Sequence, residues 1–174
     1  MNTSETPQYD TPQLLKNLRE KLQRLVREQE LEAPVMIGIH TGGAWIAERL
    51  HRDMTLTTPL GLLDISFYRD DFTRIGINPE VKPSRIPVNI DDRHILLIDD
   101  VLHTGRTIRA AMNELFDYGR PASIHLGVLV DRSGRELPIQ ADVSAVHIDL
   151  APAQHIKLHG PEPLELTVIG AQTG

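Results

Sequence analysis

Asp99 and Asp100 stand side by side at the end of a short apolar run, Ile95-Leu96-Leu97-Ile98, and a few residues later come Thr104, Gly105, Arg106 and Thr107. Two adjacent carboxylates at the end of a strand can accept hydrogen bonds from vicinal hydroxyls, or hold Mg²⁺ through its waters. A Thr-Gly-Arg-Thr turn at a helix start offers backbone N–H groups without intrahelical partners, two hydroxyls and the positive end of the helix dipole. Gly105 allows close backbone approach, so a phosphate monoester fits there. Phosphate on one side and a diol on the other describe a ribose 5-phosphate. Because short motifs recur by chance, an ordinary acidic turn followed by a helix cap is the competing reading on local pattern alone, the weaker of the two.

These groups need elements to carry them. Ile95 to Ile98 has the unbroken apolar character of a parallel strand covered on both faces. Ile108, Ala111, Met112, Leu115 and Phe116 recur at helical spacing, and Gly119 with Pro121 beyond it stops that helix. The segment therefore reads strand, acidic turn, polar loop, helix. An earlier unit repeats the plan: Val35-Met36-Ile37-Gly38-Ile39 as a buried strand, His40-Thr41-Gly42-Gly43, then a helix over Ala44 to Arg52. Such a loop is either an anion cradle of exposed amides or a plain turn.

Before it, Asp10 or Thr11 caps a helix with Pro12 in its first turn, and Leu14, Leu18, Leu22 and Leu25 form its apolar stripe to about Glu30. Lys16, Arg19, Lys21, Arg24 and Arg27 cover the rest, interleaved with Glu20 and Glu28, as a solvated face would. Leu60 to Tyr68 reads as a strand, followed by a long charged, Pro-containing segment from Arg69 to Val88. Ser123 to Val130 is a further strand ending at Asp131-Arg132, and the Asp131 to Glu136 turn beyond it is a candidate ligand wall. Val143 to Leu150 adds a strand, and His155 to Leu158 with Leu164 to Ile169 form a terminal hairpin.

Composition sets outer limits. The chain has 174 residues and a hydrophobic content of 40%, enough for one domain with a proper core, taken as residues 11–174 after a disordered lead-in at 1–10. Eighteen basic against twenty-four acidic residues give a net charge of −6, which is not the balance of a general nucleic-acid binder. Without cysteine there are no disulfides and no thiolate metal sites, and the eight histidines show no metal-ligand spacing. The polar start is unlike a signal peptide and no apolar run approaches a membrane span, so a cytoplasmic protein with no membrane partner is expected.

The run Ile95 to Thr107 resembles the phosphoribosyl pyrophosphate (PRPP) signature of type I phosphoribosyltransferases. Asp64 to Asp71, Gly119 to Ala122 and Val128 to Ile139 follow in the order of the PyrR type, the bifunctional pyrimidine operon regulators and uracil phosphoribosyltransferases. The likeness covers Thr11 to Asp142. It implies an α/β fold, a doubly wound parallel sheet with a flexible flap loop, that joins uracil to PRPP to give UMP and pyrophosphate. PRPP would be bound by Asp99, Asp100, Val101, Leu102, His103, Thr104, Gly105, Arg106 and Thr107, with the pyrophosphate at Thr41, Gly42 and Gly43. Arg69, Asp70 and Arg85 would lie on the flap, and Arg74 would act in catalysis with Asp99 and Asp100. The base would meet Val130, Asp131 and Arg132. Mg²⁺ would arrive with PRPP near Asp99 and Asp100, with no metal held by the protein alone. Leader mRNA would contact Arg19, Arg24, Arg27 and Arg135, and the assembly would be a homodimer or larger.

The chain also departs from that pattern. His40 and Gly42 stand in a loop that often carries a basic side chain, and Gln140 and Val146 stand in a stretch that is typically basic. Fewer phosphate contacts imply weaker RNA binding. Two alternatives stay open: an RNA-binding attenuation regulator with residual activity, and a phosphoribosyltransferase for another base.

Overall fold

The computed structural model describes residues 9–65 and 84–170. At its centre is a five-stranded sheet of β1 (Val35–Ile39), β2 (Gly61–Leu63), β3 (His94–Leu102), β4 (Ser123–Arg132) and β5 (Val143–Ile148), in the order β2-β1-β3-β4-β5. Every pairing in it is parallel. All five residues of β1 are buried, as an unbroken apolar run predicts for a strand covered on both sides.

The period-two alternation of β3 divides the core. Leu96 and Ile98 face one layer with Met36, Leu18 and Leu22 of α1 (Thr11–Glu28), and Ile46 and Leu50 of α2 (Gly42–Asp53). Ile95 and Leu97 face the other layer with Ile37, Val128, and Ile108, Ala111 and Leu115 of α3 (Arg106–Tyr118). Helices on both faces make the sheet doubly wound. Asp10 caps α1 by accepting a hydrogen bond from the Gln13 N–H at 3.1 Å. The hairpin of β6 (His155–His159) and β7 (Glu165–Ile169) is antiparallel. It is tied to α1 by the Leu166 N–H, which donates to Thr11 Oγ1 at 3.1 Å in a buried setting. Leu158, Leu164 and Leu166 join the core layer of α1 and α2.

Three sequence expectations are corrected. Asp99 and Asp100 do not form a turn; β3 runs through both to Leu102. The strand breaks its alternation there instead, since Ile98 and Val101, three apart, pack against the same layer. Asp99 Oδ1 accepts from the Asp100 N–H and Asp100 Oδ1 accepts from the Val101 N–H, each at 2.8 Å, so these carboxylates draw backbone donors out of the regular ladder. The strand expected over Leu60 to Tyr68 is only Gly61–Leu63 in the described residues. Its neighbour Asp64 donates its N–H to Ser84 Oγ at 2.9 Å, and Leu62 forms an antiparallel bridge with Arg85. The second helix begins at Gly42 rather than Ala44, which places both glycines in its first turn. Of the flap residues, Arg69, Asp70 and Arg74 lie outside the described residues, as do residues 1–8 of the lead-in.

Candidate active site

The carboxyl ends of β1, β3 and β4 lie side by side, and each releases a polar segment. From β1 the chain passes through His40 and Thr41 straight into α2. The first intrahelical donor of α2 is Trp45, to the Thr41 carbonyl at 3.3 Å, so the amides of residues 42–44 precede the helical ladder. Thr41 sits at the N-cap without using its hydroxyl there.

The double glycine has a steric cause. A Cβ on Gly42 would come within 2.3 Å of Asp100 Oδ2 and 2.8 Å of its Cγ. A Cβ on Gly43 would come within 2.6 Å of the Ile98 carbonyl and 2.9 Å of Asp99 Cα. The first turn of α2 thus rests directly on the acidic pair, and only glycine permits that approach. Asp99 is buried at 4% exposure, while Asp100 is half-buried. The sequence signalled exposed amides at Gly42-Gly43 but not that Asp99 and Asp100 are what the glycines make room for.

The second loop leads from β3 into α3. Gly105 is the N-cap, at a φ of +96° that L side chains rarely adopt. Thr104 Oγ1 accepts from the Arg106 N–H at 3.2 Å, and the first donor of the α3 ladder is Arg109, to Gly105 O at 3.0 Å. The amides of Thr107 and Ile108 therefore stand ahead of the ladder, at the positive end of the helix dipole. Outside support comes from the segment after β4. The Thr104 carbonyl accepts from the N–H groups of Glu136 and Leu137 at 3.0 and 3.1 Å. Arg106 Nε donates to Glu136 Oε2 at 2.9 Å, and Arg135 bridges the His103 carbonyl and Asp131 Oδ1. Sequence reasoning placed Glu136 only at the end of a candidate ligand-wall turn, and read Arg135 as a possible RNA contact. In the fold Arg135 braces the phosphate-type loop. His103, exposed in that loop, has its pKa lowered chiefly by partial burial, then by the Arg132 charge, against an opposing pull from Glu136.

The third wall is the end of β4 and its neighbours. Val101, Val130 and Val146 lie in register across β3, β4 and β5, and Leu102, Asp131 and His147 form the next row. Val130 is fully buried, so its side chain belongs to the core. Arg132 is 6% exposed, and its Nε has no hydrogen-bond partner among the described residues. His147 lies between two carboxylates, 3.7 Å from Asp131 Oδ2 and 3.1 Å from Asp149 Oδ1. The Asp149 pKa is lowered, first by a hydrogen bond from Ser133 and then by one from His147. Arg19, Arg24 and Arg27 lie apart from these loops on α1, which packs against β4 and β5. Among the described residues no three His, Cys, Asp or Glu side chains gather as a metal site, and no helix is long and apolar enough to cross a membrane.

An acidic pair flanked by two helix-start amide loops suits a phosphorylated sugar bearing a second phosphate group. Comparison with known proteins agrees: the Phosphoribosyl transferase domain matches residues 7–162. A protein of Nitrosococcus oceani named Bifunctional protein PyrR is 55% identical over 170 residues, covering 97% of this chain and 96% of that one. The chain belongs to the phosphoribosyl transferase family, in its PyrR type. A Pseudomonas aeruginosa protein of the same name is 52% identical over 154 residues, 88% of this chain and 91% of that one. Among solved structures, a hypoxanthine-guanine phosphoribosyltransferase of Bacillus anthracis superposes with a TM-score of 0.69 at 18% identity, covering 97% of this chain and all of that one (100%). At that identity the likeness speaks for the fold.

Two expectations follow for this phosphoribosyltransferase. Gly43→Ala should destabilise by about 1–3 kcal/mol, because the new methyl overpacks against the Ile98 carbonyl and cannot be relieved by a side-chain rotation. Urea unfolding measures it, and an unchanged midpoint would contradict the seating of α2 on the acidic pair. His103 should titrate below the usual histidine value in an NMR pH series. Its folded pKa is depressed, so the stability it contributes is complete above the unfolded value near 6.5 and is lost as pH falls through and below it. His103→Gln should therefore flatten the decline in melting temperature below that pH; an unaltered decline would place its cause elsewhere.

Proposed function

We propose that this phosphoribosyltransferase joins uracil to PRPP, giving UMP and pyrophosphate. The observation that carries the proposal is the seating of the Gly42-Gly43 turn on Asp99 and Asp100, with the Thr104–Thr107 loop at the end of the same strand. One acidic pair then lies between two amide cradles, as a ribose with a 5-phosphate and a 1-pyrophosphate requires. The choice of uracil rests on the resemblance to the PyrR type.

In this reading the bond from the anomeric carbon to the pyrophosphate oxygen breaks and a bond from that carbon to uracil N1 forms, with the N1 proton released. Positive charge develops on the ribose as the leaving group departs. Positioning and electrostatics suffice for such a step, without a covalent nucleophile. Asp99 and Asp100 hold the ribose hydroxyls and favour the developing charge. Thr104, Gly105, Arg106 and Thr107 hold the 5-phosphate, while the amides of Gly42 and Gly43 with Thr41 hold the pyrophosphate. Val101, Leu102 and His103 link the two ends. Asp131 and Arg132 line the base end, with Val130 in the core beneath them, and Arg69, Asp70, Arg74 and Arg85 belong to the flap.

Two adjacent carboxylates suit Mg²⁺, which is commonly held by one or two carboxylates together with substrate phosphates. When bound with PRPP it neutralises pyrophosphate charge. The homo-oligomer implied by the resemblance remains part of this proposal.

A panel assay of pyrophosphate release from PRPP with uracil, hypoxanthine, guanine, xanthine and orotate tests the base. Turnover with a purine and none with uracil would replace the proposal by the other-base reading. Asp100→Asn should lower kcat on the order of 10²-fold, the scale of losing one group that stabilises transition-state charge, with the melting temperature held. Full turnover in a folded variant would remove Asp100 from the chemistry.

The regulatory reading is a second activity of the same chain, supported by the arginines along α1. Arg24 and Arg27 are exposed and Arg19 is half-buried, whereas the Arg135 guanidinium is engaged by Asp131 and the His103 carbonyl. Few phosphates can then be neutralised, each adding about 0.7 to the salt slope for a single strand. Binding of a pyrimidine-operon leader transcript should be micromolar at physiological salt with a slope of about −2 to −3. A nanomolar, UMP-enhanced complex would make regulation the leading function.

A further inference from the structure

On its sheet side, the first turn of α2 is seated by small residues. A Cβ on Gly38 of β1 would come within 2.7 Å of Ala47 Cβ and 2.9 Å of Ala44 Cα, while Gly42 and Gly43 rest on Asp100 and Asp99. Glycine and alanine allow close approach there, but they offer no long side chain to fix the height of the helix start. The usual cap is missing too, since Thr41 makes no side-chain hydrogen bond to the helix.

Contact with the β6–β7 hairpin is of another kind. Trp45, in that same first turn, is half-buried, and Gly160 between β6 and β7 lies flush on its ring. A Cβ on Gly160 would come within 2.7 Å of Trp45 Cε3 and 3.0 Å of Cζ3. Four residues on, Arg49 pairs with Glu162 of the hairpin turn at 3.6 Å, an exposed contact of small weight by itself. Beneath them, Leu158, Leu164 and Leu166 of the hairpin segment share a core with Ile46 and Leu50 of α2. A large flat ring set against backbone fixes position better than small side chains can.

We propose that the β6–β7 hairpin is the strut that seats the Gly42-Gly43 amides, with Trp45 as a positioning residue for the pyrophosphate group. In this role Trp45 acts through the backbone of α2 and not by contact with substrate. The proposal rests on the reading above that this loop holds pyrophosphate, and adds the part of the chain that fixes it. A cradle made mainly of backbone amides cannot follow a misplaced phosphate by turning a side chain, so its grip depends on where the helix starts.

The test uses the full chain with Trp45→Ala, Trp45→Phe and Gly160→Ala. In the free protein, Trp45→Ala should move the NMR amide resonances of Gly42 and Gly43 and leave those of Gly105 and Thr107 in place. Its KM for PRPP should rise on the order of 10-fold with kcat within about twofold, the pattern of binding lost equally from ground and transition states. Trp45→Phe keeps a ring under Gly160 and should recover most of the affinity. Gly160 is exposed, so Gly160→Ala carries the test where Trp45→Ala folds poorly. Its methyl is driven into the indole, and it should reproduce the rise in KM and shift the emission of the chain's one tryptophan.

Unmoved Gly42 and Gly43 resonances in folded Trp45→Ala would overturn the proposal. So would a lower melting temperature with KM for PRPP unchanged in the folded fraction, since the hairpin would then serve stability only. In the wild-type chain, PRPP binding that leaves Gly42 and Gly43 unshifted would overturn the pyrophosphate reading, and the proposal with it. Shifts at both glycines beside an unchanged KM in all three variants would overturn the proposal alone.

Discussion

The contact between the first turn of α2 and the acidic pair of β3 is the constraint on which the site depends. β1 ends at Ile39, one residue past Gly38, which is in register with Ile98, while its parallel neighbour β3 continues to Leu102. The chain leaving β1 must begin its helix at once, against whatever β3 carries at that height. It meets Asp99 and Asp100 at distances that exclude any side chain at Gly42 or Gly43. The doubly covered sheet keeps this arrangement rigid, since β1 is wholly buried and Leu96 and Ile98 are locked between α1 and α2.

The phosphate-type loop is held differently. Gly105 supplies the left-handed turn, but the loop's position relative to β4 comes from Arg135, Glu136 and the Thr104 carbonyl. The same segment carries Asp131, which reaches His147 on the edge strand β5. One run of residues therefore supports the phosphate end of the site and forms the wall beside Arg132. A substitution in that brace should disturb both ends together, whereas one at Gly42 or Gly43 acts on the acidic pair alone.

Much of this was legible because it is local. The apolar runs of β1, β3 and β4, the helical stripe of α3, the Asp10 cap and the Gly105 turn are each written in a few consecutive residues, and the terminal hairpin announced itself through its Gly-Pro punctuation. What escaped depends on register between distant segments. The reason for Gly42 and Gly43 lies in Asp99 and Asp100, more than fifty positions further along the chain. Arg135 looks like a free basic residue until the fold brings the His103 carbonyl to it. Arg132 reads as part of a ligand wall at a strand end, and only the fold shows it almost wholly buried. The acidic pair was taken for a turn because aspartates disfavour strands in general; here each finds a neighbouring backbone N–H and the strand continues.

The central claim is that the two amide loops and the acidic pair form one site for one molecule. An NMR titration of the backbone amides with PRPP and Mg²⁺ tests it most directly. The account predicts that Gly42, Gly43, Asp100, Gly105 and Thr107 shift together along a single binding curve, with the amides of α1 unmoved. Shifts confined to one loop, or two loops following different affinities, would contradict it.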